Sequence, residues 1–414
     1  MCIIFSCYVP PQKGPGIESE IREEQNPMKY AELRSSHHSF KYSSSESEAL
    51  NRGESKHVNR QGRIDNHHSV VIPYGRQWID EEDIQAVVEV LRSDWLTQGP
   101  KIREFEEKFA DYVNARYAVA VSNGTAALHC AYLAADLGPG DQVITTPITF
   151  AATSNAAFYC GARPAFVDIE PETYNLDPVK LDEYLSGGKG ASAESEVARA
   201  QTAESKGRQG WPLAYLPKAV VPVHLSGLPC DMEKIYQIAK AHNLYVIEDA
   251  CHALGARYRS LPKGKDSKTA MECRDSWTKV GSCTHSDMSV FSFHPVKHIT
   301  CGEGGMITTN SKELYGKLLL YRNHGITREF PETRFLEMDS RFYYEMRVLG
   351  FNYRMNDLQA ALGNSQLKKM DGWLERRRYI ANLYFQNFST LKNVKLPYTN
   401  DDLIPSFHLF LIQV

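Results

Sequence analysis

The regular alternation of two hydrophobic patterns constrains the fold of this chain more than any other feature. Between about Val119 and Asn310, short runs of β-branched and apolar residues alternate with segments of helical periodicity. The runs are Tyr117 to Val121, Gln142 to Thr145, Ala165 to Val167, Ala219 to Val223, Leu244 to Glu248, Met288 to Phe293 and Met306 to Thr309. Strands joined by helices run mostly parallel, because each helix carries the chain back to the same edge of the sheet. The pattern therefore predicts an α/β fold with a large, mostly parallel, seven-stranded sheet and helices on both faces.

The segments around this alternation predict the domain organisation. Residues 1–69 are rich in Ser, His, Glu, Asn and Arg without a sustained hydrophobic period, which is typical of a disordered extension. We predict that the large domain spans residues 70–315. Within it, the polar stretches 186–210 and 261–285 are predicted to be surface insertions.

Helical periodicity dominates residues 316–414 and predicts a smaller C-terminal α+β domain. Its strongest helical patterns are Leu358 to Lys369 and Trp373 to Leu391. The closing run, His408 to Val414, has the composition of a buried strand, yet no further strand follows to pair with it. We therefore expect this domain to be truncated.

Composition and charge exclude several classes of protein. A net charge of -3 provides no basic surface for nucleic acid or an anionic membrane, so neither is expected as a partner. No run approaches the roughly 18 apolar residues of a membrane span, and no signal peptide is recognisable, so a cytoplasmic location is expected. The 9 cysteines are scattered without a CxxC pair, which indicates reduced thiols and no metal site.

The first motif with chemical meaning is the turn Ser122 to Leu128, which follows the first strand and opens a helix. Free backbone N–H groups and the helix dipole attract a phosphate at such a position. Gly124 allows close approach and Thr125 supplies a hydroxyl group. An ordinary capped strand-to-helix turn explains the same residues.

The second motif is Val246 to Gly255, in which an apolar strand delivers two carboxylates and then a histidine. A buried carboxylate is costly unless a positive group pairs with it. The protonated pyridine nitrogen of pyridoxal phosphate (PLP) is such a group, and we assign Asp249 to it. His252 lies near enough to bind the phenolic oxygen of the ring. A helix cap at Asp249 and a core histidine at 252 are the alternatives.

The third motif is Phe291 to Gly305, which places Lys297 on a short loop between two apolar strands. A neutral lysine amine forms a Schiff base with an aldehyde. Ser292, five residues earlier, is placed to reach a phosphate. Most lysines are solvated surface charges, but the flanking strands argue against that interpretation here. Together the three motifs predict a PLP site at the carboxyl ends of parallel strands.

With these motifs the chain resembles the DegT/DnrJ/EryC1/StrS family of sugar aminotransferases, in particular the branch of the pseudaminic acid pathway. The resemblance runs from about Val70 to the C-terminus. Besides the three motifs it rests on Trp95 to Pro100, Thr146 to Thr153, Arg322 to Gly325 and Gly350 to Ala361. It implies the fold type I architecture of PLP-dependent aminotransferases.

The resemblance also implies residue roles. Lys297 would be the Schiff-base lysine and therefore the catalytic residue, with Asp249 as the partner of the pyridinium. The other residues implied to bind PLP are Gly124, Thr125, Phe150, His252, Ser292 and Asn352, of which Phe150 would stack on the ring. Asn352 would reach the phosphate of the other subunit, which implies a homodimer with shared sites, although a loop residue explains Asn352 equally well. Candidate substrate contacts are Thr97, Gln98, Tyr344 and Arg354, and a surface salt bridge is the alternative for the arginine.

The implied reaction transfers an amino group from L-glutamate to C4 of a UDP-linked 4-keto-6-deoxy sugar. Lys297 would serve in turn as anchor, acid and base. Two alternatives stay open: an aminotransferase or dehydratase for another nucleotide-linked keto sugar, and a truncated homologue without catalysis. In the dehydratase branch the resemblance places a histidine where Lys297 stands, which disfavours that alternative.

Overall fold

Strands and helices alternate along most of the chain, as the hydrophobic patterns predict. The computed structural model describes residues 2–6, 75–187, 215–260, 277–327 and 344–414. The helices are α1 Glu81–Leu91, α2 Pro100–Val113, α3 Gly124–Ala134, α4 Ala151–Tyr159, α5 Pro178–Leu185, α6 Met232–Ala241, α7 Lys312–Arg322, α8 Asp357–Leu367 and α9 Met370–Phe388. The strands are β1 Cys2–Ser6, β2 Tyr117–Val121, β3 Asp141–Thr145, β4 Arg163–Phe166, β5 Leu216–Val220, β6 Tyr245–Asp249, β7 Arg257–Arg259, β8 Trp277–Lys279, β9 Met288–Ser292, β10 Gly305–Thr309, β11 Ile326–Thr327, β12 Glu345–Met346, β13 Leu403–Ile404 and β14 Leu409–Gln413.

The central sheet has seven strands in the order β2-β10-β9-β6-β5-β3-β4. These are the strands that the sequence predicts, so the α/β fold class and the mostly parallel sheet are confirmed. Strand β10 is the exception, since it runs antiparallel to both of its neighbours, β2 and β9. The strands β9, β6, β5, β3 and β4 pair in parallel. The carboxyl ends of β2, β6 and β9 therefore lie at the same edge as the amino end of β10.

Two apolar clusters fill the two faces of this sheet. One includes Phe105 and Phe109 of α2, which pack with Phe291 and Phe293 at ring-centroid distances of 5.0 to 5.4 Å. The other is built mainly from α3, which is buried on nearly every side and therefore carries small residues such as Ala127 and Ala131. With both faces covered, the strands carry continuous apolar runs rather than alternating ones.

The predicted insertion at residues 261–285 is wrong in its last part. Residues 261–276 lie outside the described residues, but β8 pairs with β7 in a three-stranded sheet with β13. Val280 and Cys283 beyond it are buried. The polar composition of 277–285 suggested a surface segment. Several of its polar side chains instead form hydrogen bonds within the protein, as His285 does with Tyr258. Of the insertion predicted at 186–210, residues 188–210 are also outside the described part.

The predicted boundary at residue 315 also changes, because it falls inside α7. Leu314 and Leu318 of this helix belong to the core beside α3. Helix α8 and the start of α9 likewise contribute Ala360, Leu367 and Leu374 to the cluster around α2. A separate third cluster includes Phe407, Phe410 and Ile412 with the second half of α9. Among the described residues, that part therefore packs around a core separate from the two on the central sheet.

The closing strand does have a partner, contrary to the sequence-based expectation. Strand β14 pairs antiparallel with β1, with Cys2 opposite Gln413 and Ser6 opposite Leu409. Residues 2–6 are therefore an exception to the disorder predicted for 1–69, and 7–69 lie outside the described residues. The pairing joins the two ends of the chain, which no local pattern in the sequence could indicate. Among the residues that the structure describes, no helix is long and apolar enough to cross a membrane.

Candidate active site

The sheet brings the three predicted motifs to one edge. Gly305, at the start of β10, lies opposite both Val121 at the end of β2 and Ser292 at the end of β9. Asp249, at the end of β6, pairs with Val290 of β9. The turn after β2, Ser292 at the end of β9 and Asp249 at the end of β6 therefore lie along one edge of the sheet, with β10 between β2 and β9. This edge is where ligands bind in open α/β sheets.

The turn that opens α3 has the features of a phosphate site. The side chain of Asn123 accepts a hydrogen bond of 2.8 Å from the backbone N–H of Ala126 and so caps the helix. The N–H groups of the first helical turn, those of Gly124 and Thr125 included, have no partner within the helix itself. A Cβ atom at Gly124 would lie 3.0 Å from Cβ of Ser292. The predicted phosphate contacts Gly124, Thr125 and Ser292 thus lie together.

Asp249 is a buried carboxylate with two local donors. Its Oδ2 accepts a hydrogen bond of 2.7 Å from the hydroxyl of Thr153, and its Oδ1 accepts one of 3.3 Å from the N–H of Cys251. No cation is hydrogen-bonded to it among the described residues. A buried anion with neutral partners calls for a positive group, and a protonated pyridine nitrogen meets that need. This environment fits PLP.

His252 lies one turn beyond Asp249 and is held neutral. Burial and the nearby ammonium of Lys297 lower its pKa to about 3, and Asp249 only partly opposes this effect. Its Nδ1 is buried and has no hydrogen-bond partner. A neutral imidazole can donate one hydrogen bond to an anionic oxygen such as the phenolate of PLP.

Lys297 occupies the loop between β9 and β10, as predicted. Its backbone N–H donates to the carbonyl of His294 at 2.8 Å, which closes a tight turn. Lys297 follows β9, which pairs in parallel with β6, so this loop begins at the edge where Asp249 ends β6. A primary amine, a buried carboxylate and a phosphate-binding turn at one edge can hold an aldehyde cofactor and move a proton beside it.

The two remaining predicted PLP contacts are on the surface of this chain. Phe150 is 74% exposed and precedes α4, one turn before Thr153. Asn352 is exposed and forms an isolated bridge with Asn323. An exposed phenylalanine at the start of a helix is free to cover a ring. The structure leaves both roles as predictions.

Three of the four predicted substrate contacts line one cavity. Gln98, Tyr344 and Arg354 border a cavity of about 1050 Å³ that Arg322 and Arg347 also line. The guanidinium of Arg354 donates to Asn323 at 2.8 Å. Thr97 lies next to this cavity and forms a bridge with Asn356.

Sequence reasoning missed residues that contact the predicted site residues on the side away from the cofactor. Thr149 and Thr153 lie within a motif that we recognised, and their hydroxyls are 2.8 Å apart. Their spacing of four residues, one helical turn, was the available signal. His408 packs on His252 with ring centroids 4.4 Å apart, and nothing in the sequence indicates that contact.

Fold and site together define a PLP-dependent aminotransferase. The profile of the "DegT/DnrJ/EryC1/StrS aminotransferase family" matches residues 77–414. The chain belongs to this family. It is a sugar aminotransferase, and PLP is its cofactor.

Relatives of known name agree with this assignment. The UDP-4-amino-4,6-dideoxy-N-acetyl-beta-L-altrosamine transaminase of Campylobacter jejuni is 38% identical over 319 residues, which cover 77% of this chain and 70% of the relative. The GDP-perosamine synthase of Caulobacter vibrioides is 37% identical over 316 residues, covering 76% of this chain and 69% of the relative. The two differ in the nucleotide sugar of their names.

Solved structures give the same result. Helicobacter pylori PseC, an aminotransferase of pseudaminic acid biosynthesis, is 30% identical with a TM-score of 0.63, and the match covers 83% of this chain and 77% of that one. The pyridoxamine-phosphate form of a sugar aminotransferase from Streptococcus pneumoniae has a TM-score of 0.62 at 26% identity, covering 82% of this chain and 76% of that one.

Proposed function

We propose that this chain transfers an amino group from L-glutamate to C4 of a UDP-linked 4-keto-6-deoxy sugar, as in pseudaminic acid biosynthesis. The observation that carries the proposal is the meeting of Lys297, Asp249 and the turn at Gly124 at one sheet edge. Bound PLP supplies an electron sink for the carbon that loses a proton.

The residues of the chain then have distinct tasks. Lys297 would hold the aldehyde group of the cofactor through its Nζ, and the same amine would accept and return the proton. Asp249 keeps the pyridine nitrogen protonated because its buried charge needs that partner. Gly124, Thr125 and Ser292 bind the phosphate, His252 donates to the phenolic oxygen, and Phe150 covers the ring.

The cavity beside α7 supports a nucleotide-linked substrate. Gln98, Tyr344 and Arg354 offer hydrogen-bond groups and an aromatic face. Arg354, which is bonded to the neutral Asn323, suits a diphosphate, whereas Arg322 is paired with Glu106 of the same lining. We favour a UDP sugar on the resemblance to the pseudaminic branch. The relative named for GDP-perosamine, nearly as similar, makes a GDP sugar the alternative.

We further propose a homodimer in which Asn352 reaches the phosphate of the other subunit's cofactor. Large apolar side chains are exposed on this chain, among them Phe150 (74%), Met346 (66%) and Leu349 (78%). Exposed apolar groups of this size mark a surface that another molecule covers. A twofold axis would place the same residues on both sides.

The role of Lys297 is tested by its bond to the cofactor. Borohydride treatment of the PLP-loaded enzyme should attach one pyridoxyl group to the peptide that contains Lys297, as read by mass spectrometry. Lys297→Ala should lose the label and the absorbance of the bound aldehyde cofactor. Retention of both in the variant would exclude Lys297 as the anchor, and Lys279→Ala is the control lysine.

The sugar is tested with the pyridoxamine-phosphate form of the enzyme. In single turnovers with UDP-, GDP- and dTDP-linked 4-keto-6-deoxy sugars, we expect amination of the UDP compound to be at least about tenfold faster. Activity with only GDP or dTDP sugars would overturn the pseudaminic assignment. Amination of none would count against the sugar aminotransfer step itself.

A further inference from the structure

Two buried histidines, His298 and His408, and the half-buried His252 come from distant parts of the chain and meet behind the cofactor site. His252 follows β6, His298 follows Lys297, and His408 precedes β14. The ring centroids of His252 and His408 are 4.4 Å apart with an interplanar angle of 32°, and those of His298 and His408 are 5.3 Å apart. His408 therefore packs against the ring that we assign to the phenolic oxygen of PLP.

The backbone holds this contact through Ser406. The hydroxyl of Ser406 donates to the carbonyl of His252 at 2.9 Å, and its N–H donates to the carbonyl of Gly227 at 3.0 Å. Gly227 has a φ of +94°, and a Cβ there would lie 2.3 Å from the Ser406 hydroxyl. Only glycine permits this approach. The segment carrying His408 is thus fixed to the loop that carries His252.

Hydrogen bonding limits where the ring protons can be. Nε2 of His298 lies 3.4 Å from the carbonyl of Ser406, and a carbonyl only accepts, so Nε2 carries the proton. Nδ1 of His252 and Nδ1 of His408 are both buried without a partner. A proton on either Nδ1 would be a buried donor with nothing to bind, which is costly.

The charges around the cluster disfavour a second proton on any ring. Lys297, Asp249, His298 and His408 face His252, and Arg377 also acts on His298 and His408. Burial first, then these cations and neighbouring rings, lower the pKa values of His298 and His408 well below 6.5. Asp249 is the one anion among them, and its effect on His252 is smaller than that of burial.

We propose that His408 is a positioning residue for the cofactor: its ring packs against that of His252, helps to keep Nδ1 of His252 buried, and so keeps that imidazole in the neutral form protonated on Nε2. The inference rests on the proposed function, in which His252 donates to the phenolic oxygen of PLP. A donor fixed in this form binds the anionic oxygen without rearrangement. The segment near the end of the chain would thereby stabilise the site without touching the cofactor.

The test follows His252 directly in the full-length protein without PLP. Proton–nitrogen NMR of ¹⁵N-histidine-labelled protein should show His252, assigned with His252→Gln, as neutral and protonated on Nε2 down to about pH 4. In His408→Ala, water reaches Nδ1, and the pKa of His252 should rise toward its ordinary value of about 6.5. His408→Phe keeps an aromatic ring packed on His252 and should behave like the wild type. His242→Ala, at an exposed histidine, is the control.

A second measurement addresses the cofactor. PLP affinity, from fluorescence titration, should fall about tenfold in His408→Ala and be restored in His408→Phe. A wild-type His252 that titrates near 6.5 or carries its proton on Nδ1 would overturn the proposal, even if no variant folds. Unchanged His252 titration in a folded His408→Ala would overturn it too. If the NMR results are as expected but PLP does not bind, the proposed function fails while the arrangement of the rings stands.

Discussion

At the scale of single residues, the site depends on how the carboxylate of Asp249 is held. Thr153 donates to Oδ2, and the hydroxyl of Thr149 lies 2.8 Å from that of Thr153, so two threonines, one just before α4 and one in its first turn, form a chain to the carboxylate. Thr153 is fully buried. The pair orients Asp249 without adding a charge that would compete with the pyridinium. Hydrogen bonds to ionised groups are the stronger class.

Replacing Thr153 with Val removes the hydroxyl at nearly constant volume. We expect PLP affinity to fall about tenfold, or about 1.4 kcal/mol, because Asp249 loses a hydrogen-bond donor and its carboxylate is no longer held in one orientation. Thr153→Ser keeps the hydroxyl and should bind PLP as the wild type does. Fluorescence titration with PLP measures both. Equal affinity of Thr153→Val and wild type would show that Asp249 needs no help from α4.

At the scale of secondary-structure elements, the end of β6 separates two carboxylates into different environments. Successive side chains of a strand point to opposite faces. Asp249 meets the cofactor edge, whereas Glu248 lies inside the protein and accepts hydrogen bonds from Ser289 at 2.7 Å, from Ser286 and from His224. Nδ1 of His224 accepts the N–H of Cys230, so its Nε2 is the donor to Glu248. Burial alone would raise the pKa of Glu248, but these bonds hold it below 4.5.

This lowered pKa predicts a pH dependence of stability. A carboxylate whose folded pKa is lowered stabilises the fold above its unfolded pKa, and that contribution is lost as the pH falls through the folded value. Glu248→Gln should therefore cost about 1–3 kcal/mol at pH 7, with a difference from wild type that shrinks below about pH 4. Urea unfolding between pH 7 and pH 3 measures it, with the exposed Glu375→Gln as control. A constant difference across this range would contradict the assignment.

Helix α1 is fixed to the start of α9 by a buried ion pair. Nζ of Lys369 lies 3.0 Å from Asp83, which is fully buried, and it also bonds Asp80. The side chain of Gln366 donates to Asp83 at 2.7 Å. A carboxylate buried at this point is stable only while its cation is present.

Lys369→Met should therefore lower the unfolding free energy by about 3–5 kcal/mol, since Asp83 would stay buried without its cation. Calorimetry or thermal circular dichroism measures the change. Glu82→Gln is a matched control, because Glu82 lies 4.0 Å from the same ammonium but its side chain is 78% exposed. The explanation fails if both variants lower the melting temperature equally.

At the scale of the whole molecule, the cofactor edge is built by elements distant in the chain. The C-terminal helices contribute to the core around α2, and β14 carries the chain onward from the His408 contact. Large apolar side chains such as Phe150 and Leu349 are nonetheless exposed. The proposed dimer would cover them.

Subunit mixing tests whether Asn352 acts across the dimer. Lys297→Ala and Asn352→Ala homodimers should each be nearly inactive, whereas refolded mixtures should regain about a quarter of wild-type activity, because each mixed dimer has one intact site. Mixing either variant with itself is the control. Recovery no greater than the sum of the separate variants would place Asn352 within its own subunit's site, or outside any site.

The sequence alone determined the seven strands of the central sheet and the places where motifs interrupt them. Local pattern suffices there, because each strand is a continuous apolar run and each motif directly follows or precedes one. Lys297, Asp249 and the turn at Gly124 could be recognised for that reason, and the family profile agrees. Their roles stay predictions until the experiments above are made.

Tertiary structure decided what depends on contacts between distant residues. The burial of Val280 and Cys283, the pairing of β14 with β1 and the place of α7 in the sheet core follow from packing partners that no local window contains. The same holds for His408, which is far from His252 in the chain yet packs against its ring. Short-range patterns report which face of an element is apolar, and only the folded chain determines what covers that face.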